Sequence, residues 1–121
     1  GTPDPANVPA PRYRAVGWTD VDGNLWLSGG EGWDGMSTVA LFNDLWRFDG
    51  SSWTWVSGSS ESHQPGAYGT LGVPDPVNVP GSRFEAFAWI DASGALWLFG
   101  GRGRDGDNLL GRLNDLWRFE H

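Results

Sequence analysis

Apolar and polar positions alternate in short runs along this chain, and nowhere do they trace a helical stripe. Tyr13 to Thr19 and Phe84 to Ile90 are aromatic and β-branched stretches that read as first strands. Each runs into a turn, Asp20-Val21-Asp22-Gly23 and Asp91-Ala92-Ser93-Gly94. Glycine at that place supplies the positive φ that a tight hairpin needs. Second strands follow over Asn24 to Ser28 and Ala95 to Phe99, each closed by a Gly pair. A polar, Gly-bearing loop comes next, then third strands over Asp44–Phe48 and Asp115–Phe119. Beyond the Asp49-Gly50-Ser51-Ser52 turn, Trp53-Thr54-Trp55-Val56 reads as a fourth strand. The longest stretch free of Gly and Pro, Met36 to Asp49, has no 3.6-residue apolar period, and its end alternates. The pattern predicts an all-β chain of antiparallel meanders.

The two sets of strands are copies. Shifting the chain by 71 lays Gly1–Gly50 on Gly72–His121 without a gap, and 26 of the 50 pairs are identical. Leu25-Trp26-Leu27 returns as Leu96-Trp97-Leu98, and Gly29-Gly30 returns as Gly100-Gly101. Asn43 to Phe48 returns whole as Asn114 to Phe119. The organisation expected is a first unit over 1–56 with a Pro-rich lead-in, a Pro- and Gly-rich connection over 57–82, and a second unit over 83–121. That second unit has three strands and lacks the outermost. The connection is expected to be ordered, because its final dozen residues recur at positions 1–12.

A four-stranded meander cannot bury both faces alone, and radial stacking of such sheets is the β-propeller. Leu-Trp-Leu-(Ser/Phe)-Gly-Gly, a Gly/Asp loop, Asn-Asp-Leu-Trp-Arg-Phe and Trp-Thr-Trp together resemble the kelch repeat. They resemble especially the bacterial kelch-like type with a long insert between blades. The resemblance implies kelch-like propeller blades, about two per chain, with the first strands lining a central channel. It also implies a secreted or cell-surface setting. The unit exceeds the family's usual length of about 50 residues by about 20, and the surplus lies in the connection. Trp26, Trp46, Trp97 and Trp117 are expected to fill gaps between sheets. Gly29, Gly30, Gly100 and Gly101 are expected to let a neighbouring sheet approach or a loop leave sharply. Asp44 and Asp115 are expected to accept turn N–H groups, and Arg12 and Arg83 to tie a loop to the adjacent blade.

Closure requires more blades than one chain supplies. Either the chain is a fragment of a larger propeller enzyme or carbohydrate-active protein, or its partners are other copies of itself in a closed ring of six or eight blades.

Composition narrows the function classes. Gly and Pro make up 27 of 121 residues, and nine residues are Trp. Cys is absent, which removes disulfides, thiol nucleophiles and cysteine-held metals. The net charge of −7 disfavours nucleic acid and anionic membrane as partners, and no apolar run reaches the roughly 18 residues of a spanning helix. The resemblance brings in the copper-radical oxidases, whose chemistry needs two tyrosines, two histidines and a cysteine crosslinked to a tyrosine. Tyr13, Tyr68, His63 and His121 are present, but the cysteine is not. Neither a cofactor nor a metal is expected, and catalysis is not expected. Asp20-Val21-Asp22-Gly23-Asn24 reads as a hairpin turn in preference to a calcium loop, since its glycine comes two residues early and no glutamate occupies the twelfth position.

Binding of a protein or glycan is the remaining class. The loops after the Gly pairs diverge while the strands around them repeat: Glu31–Ser37 stands opposite Arg102–Asn108. The candidate ligand contacts are Glu31, Trp33 and Asp34 in one loop and Arg102, Arg104, Asp105 and Asp107 in the other. Trp33 would be a stacking platform.

Overall fold

The computed structural model describes residues 1–33 and 39–120. Among them there are strands, turns and extended segments but no helix. In the first repeat β1 spans Arg12–Tyr13, β2 Val16–Thr19, β3 Leu25–Ser28, β4 Glu31–Gly32, β5 Ala40–Leu41, β6 Leu45–Phe48 and β7 Trp53–Ser57. In the second, β8 spans Arg83–Phe84, β9 Phe87–Ile90, β10 Leu96–Phe99, β11 Arg102–Arg104, β12 Leu110–Arg112 and β13 Leu116–Phe119.

The main sheet of the first repeat has the order β2-β3-β6-β7, and that of the second β13-β10-β9. Both are antiparallel meanders in the same register. Trp18 faces Trp26 and Leu25 faces Phe48 in the first, as Trp89 faces Trp97 and Leu96 faces Phe119 in the second. The turns between the first two strands carry Gly23 at φ 85 and Gly94 at φ 87, the left-handed conformation that glycine adopts without a steric penalty. These features match the sequence reading.

Two parts of that reading are corrected. The first strands are not continuous: each is split, with Arg14 or Glu85 at φ 57 between the pieces. The loops after the Gly pairs are not plain loops either. They contain antiparallel strand pairs, β4 with β5 and β11 with β12, and β1 and β8 complete two further three-stranded sheets, β1-β4-β5 and β12-β11-β8. The physical reason is a bend shared by neighbouring strands. Where Gly29 and Gly30 turn one strand out of the main sheet, at φ 64 and 98, the strand beside it must turn at the same level. Arg14 and Glu85 make that turn in a conformation that costs a non-glycine residue about 1–2 kcal/mol.

The core lies between the two main sheets. Trp18, Trp26 and Leu45 of the first repeat pack against Leu96 and Leu98 of the second, with Ala88, Ile90, Trp117 and Phe119 around them. Strands β2 and β9 are neighbours across this contact, and the Trp18 Nε1 donates to the Trp89 carbonyl at 3.1 Å. Opposite faces of the two repeats are therefore buried against each other.

The connection over 57–82 is ordered by specific bonds. His63 N donates to the Leu41 carbonyl, Ala67 and Val79 pair as an antiparallel bridge, and Gln64 N donates to the Ser82 hydroxyl oxygen.

Candidate functional site

Among the described residues, an arginine–aspartate pair with little-exposed side chains locks each repeat. The Arg12 guanidinium forks onto Asp44, Nη1 to Oδ1 at 2.5 Å and Nη2 to Oδ2 at 2.9 Å. Its remaining donors reach the Gly29 and Ala10 carbonyls. Asp44 Oδ2 also accepts the Trp46 Nε1 at 2.7 Å. The second repeat copies the arrangement with Arg83, Asp115, the Gly100 and Gly81 carbonyls, and Trp117. Here the sequence expectation is corrected twice. The Arg12 and Arg83 side chains bond within their own repeats, and it is the Arg83 backbone that joins the neighbouring repeat, at Gly30 and Phe42. Asp44 and Asp115 accept guanidinium and indole N–H groups in place of turn amides, because a two-residue spacing along the strand sets each carboxylate beside its tryptophan.

Asp115 has a further partner. Tyr68, carried in by the connection, donates its hydroxyl to Oδ2 at 2.7 Å and lays its ring 5.1 Å from Trp117. Burial raises the Asp115 carboxyl, but donation from Arg83, Trp117 and Tyr68 outweighs it and brings the pKa down to about 2. On the other side of the bond, burial and the adjoining carboxylate push the Tyr68 phenol up to about 12.

A second carboxylate–indole bond lies at the opposite end of the sheets. Asp20 caps its turn, accepting the Asp22 and Asn24 amides on Oδ1 and the Asn24 side chain and Trp26 Nε1 on Oδ2. Burial pushes its pKa up, and the bonds from Trp26, Asn24 and Asp22 pull it down to about 2. Asp91 repeats this with Ser93, Ala95 and Trp97, and its pKa is likewise lowered, by the Ser93 hydroxyl first. The oxygens of both turns are thus occupied by the protein itself. Among the described residues no three His, Asp or Glu side chains gather closely enough to hold a metal ion.

The four strand tryptophans part company. Trp26 is fully within the inter-sheet core, while Trp117 packs at its edge. Trp46 meets Trp53 edge-on at 6.5 Å, and Trp97 stacks flat on Trp89 at 6.0 Å. Of the described glycines, Gly29 comes closest to the other repeat: a Cβ there would sit 2.7 Å from the Arg83 carbonyl oxygen. Gly30 N donates to that same oxygen at 2.8 Å. Gly100 and Gly101, at φ 68 and 87, make the matching bend in the second repeat.

The rim residues are only partly displayed. Trp33 is 62% exposed, and Arg102 and Asp107 are exposed. Arg104 and Asp105 are half-buried: Arg104 donates to the Asn108 carbonyl, and Asp105 caps its turn by accepting the Asp107 and Leu109 amides. Asp34 lies outside the described residues. Glu31 is buried, accepting the Tyr13 hydroxyl at 2.8 Å, with Arg14 3.8 Å away. That acceptor carboxylate raises the Tyr13 pKa. Among the described candidate residues, Trp33 on one loop and Arg102 and Asp107 on the other are the exposed ones.

Sequence reasoning passed over one cross-repeat contact. Arg14 Nε stands 3.4 Å from Glu85 Oε1, and Glu85 N donates to the Arg14 carbonyl at 3.1 Å. These residues occupy equivalent positions, so the signal was present as a reversal of sign within the repeat. Comparison with models of known protein families finds no match, and comparison with curated proteins finds none either.

Proposed function

We propose that this chain is a structural and interaction module of a kelch-like β-propeller. Its copies assemble into a closed ring of six or eight repeats and offer rim loops to a protein or glycan. One observation carries this reading: the two repeats stack sheet on sheet, while the faces turned away from that contact remain apolar and open. Phe87 is 71% exposed, Leu116 54% and Leu25 48%. Faces of this kind on a small domain mark surfaces built to be covered. The rim reading is supported by Trp33, an exposed indole at a place where the internal repeat substitutes Arg104.

Native mass spectrometry of the chain tests assembly. Three or four copies are expected, and a folded species at 13.2 kDa would refute the ring. A glycan and peptide array tests the rim. Ligands captured by the wild type should be lost with Trp33→Ala, and undiminished capture would remove Trp33 from the site.

A further inference from the structure

The contact between the two repeats inside one chain is itself a template, and the counterparts of both its halves are exposed on the opposite faces of the two repeats. On the first repeat, the face formed by Val16, Trp18 and Leu45 is covered by the second repeat, yet its counterparts Phe87, Trp89 and Leu116 are uncovered. On the second repeat the reverse holds. Leu96 is 2% exposed beneath Trp18, while its counterpart Leu25 stands at 48%. The chain thus carries one filled joint and the two complementary halves of another.

Each open half carries a recess. A pocket of about 390 Å³ opens between Gly17, Leu25, Leu27 and Trp53 on the first repeat. The matching surface of the second repeat, around Ala88 and Leu96, takes the Trp18 ring, whose Nε1 donates to the Trp89 and Trp97 carbonyls at 3.1 and 3.3 Å. Trp89 is the residue equivalent to Trp18, and it is 44% exposed. A groove of about 400 Å³ on the second repeat, between Glu85, Phe87, Gly101 and Leu113, is the other half. Its counterpart on the first repeat is filled by the backbone of residues 82–86. There Gly30 N donates to the Arg83 carbonyl at 2.8 Å, and Arg83 N donates to the Phe42 carbonyl at 3.1 Å.

Charge selects what fills the groove. Within the chain Arg14 meets Glu85 across the joint. In the repeated joint, Glu85 would meet the residue at position 14 of whatever docks, and a second copy brings Arg14 there.

We infer that a second copy of this chain docks head to tail: its exposed first-repeat face covers the exposed second-repeat face, Trp89 enters the Leu25 pocket, and the segment around its Arg12 and Arg14 lies in the Glu85–Leu113 groove. This inference rests on the ring reading above and specifies which surfaces make the ring. The interface is heterologous, so each copy uses two different patches.

Two exposed positions separate the patches, Phe87→Glu on the second repeat and Leu25→Glu on the first. Each variant alone should run as a monomer in native mass spectrometry, because one half of every joint is blocked. An equimolar mixture should give a one-to-one dimer and nothing larger, since only one productive joint remains. If the wild type assembles and either variant keeps its size, the head-to-tail joint is wrong although the ring reading survives. The same holds if only one variant is impaired, as an isologous contact would require. A monomeric wild type ends both. Infrared amide I bands of the variants should match the wild type; should either lose strand signal, Phe87→Ser and Leu25→Ser take their places under the same readouts and the same criteria.

Discussion

Asp115 is met by three donors at once, from Arg83, Trp117 and Tyr68, and two of them come from elsewhere in the chain. A carboxylate this little exposed depends on its cation for compensation. Removing one partner of a buried pair typically costs about 3–5 kcal/mol, because the other is left charged and uncompensated. Arg83→Met should therefore lower stability by about that much at neutral pH, measured by urea unfolding at fixed chain concentration. The pH dependence has a definite sign. The folded carboxyl is depressed from 3.8 to about 2, so its contribution is complete above 3.8 and is lost as pH falls toward 2. The gap between wild type and variant should narrow through that window, and a gap that stays constant would mean that packing of the arginine stem carries the loss. Asp20 titrates over the same range, depressed to about 2, so wild-type acid unfolding belongs there too.

At the scale of the elements, the main meanders were legible in the chain because their signals are local. Gly23 and Gly94 mark turns, and Leu-Trp-Leu and Leu-Trp-Arg-Phe mark strands as short, aromatic-rich apolar runs between turn signals. The small sheets were not legible. β1, β4 and β5 are two residues each and make no periodic pattern, and their pairing is fixed by how closely the backbones approach. Gly32 and Gly103 report that approach: a Cβ on Gly32 would overlap the Pro11 carbonyl oxygen, and one on Gly103 the Ser82 carbonyl oxygen. Gly111, directly across the hairpin from Gly103, has open space around it. Gly103→Ala should thus cost about 1–3 kcal/mol through forced backbone displacement, while Gly111→Ala should be neutral or slightly stabilising. Urea midpoints of the two variants against wild type check this pair. Equal midpoints would show that the hairpin shifts freely. The candidate rim was half legible for the same reason. Divergence between the copies singled out the loops, but it could not say that Glu31 turns inward to Tyr13 while Trp33 stays out.

For the whole molecule, stability and assembly are expected to be one property. If the open faces are covered only by other copies, the folded state is linked to chain concentration by mass action. The apparent Tm should rise with concentration and change little with added salt, since the covered surface is apolar and its ion pairs lie at the margin. Calorimetry across a dilution series reads this directly, and a concentration-independent Tm would contradict it. The reversal of sign between Arg14 and Glu85 also imposes a parity rule. A chain holding only the first repeat would set arginine against arginine at every junction, and one holding only the second would set glutamate against glutamate. Only an alternating sequence of the two tiles a circle without such conflicts, so any ring closed through this joint contains an even number of repeats.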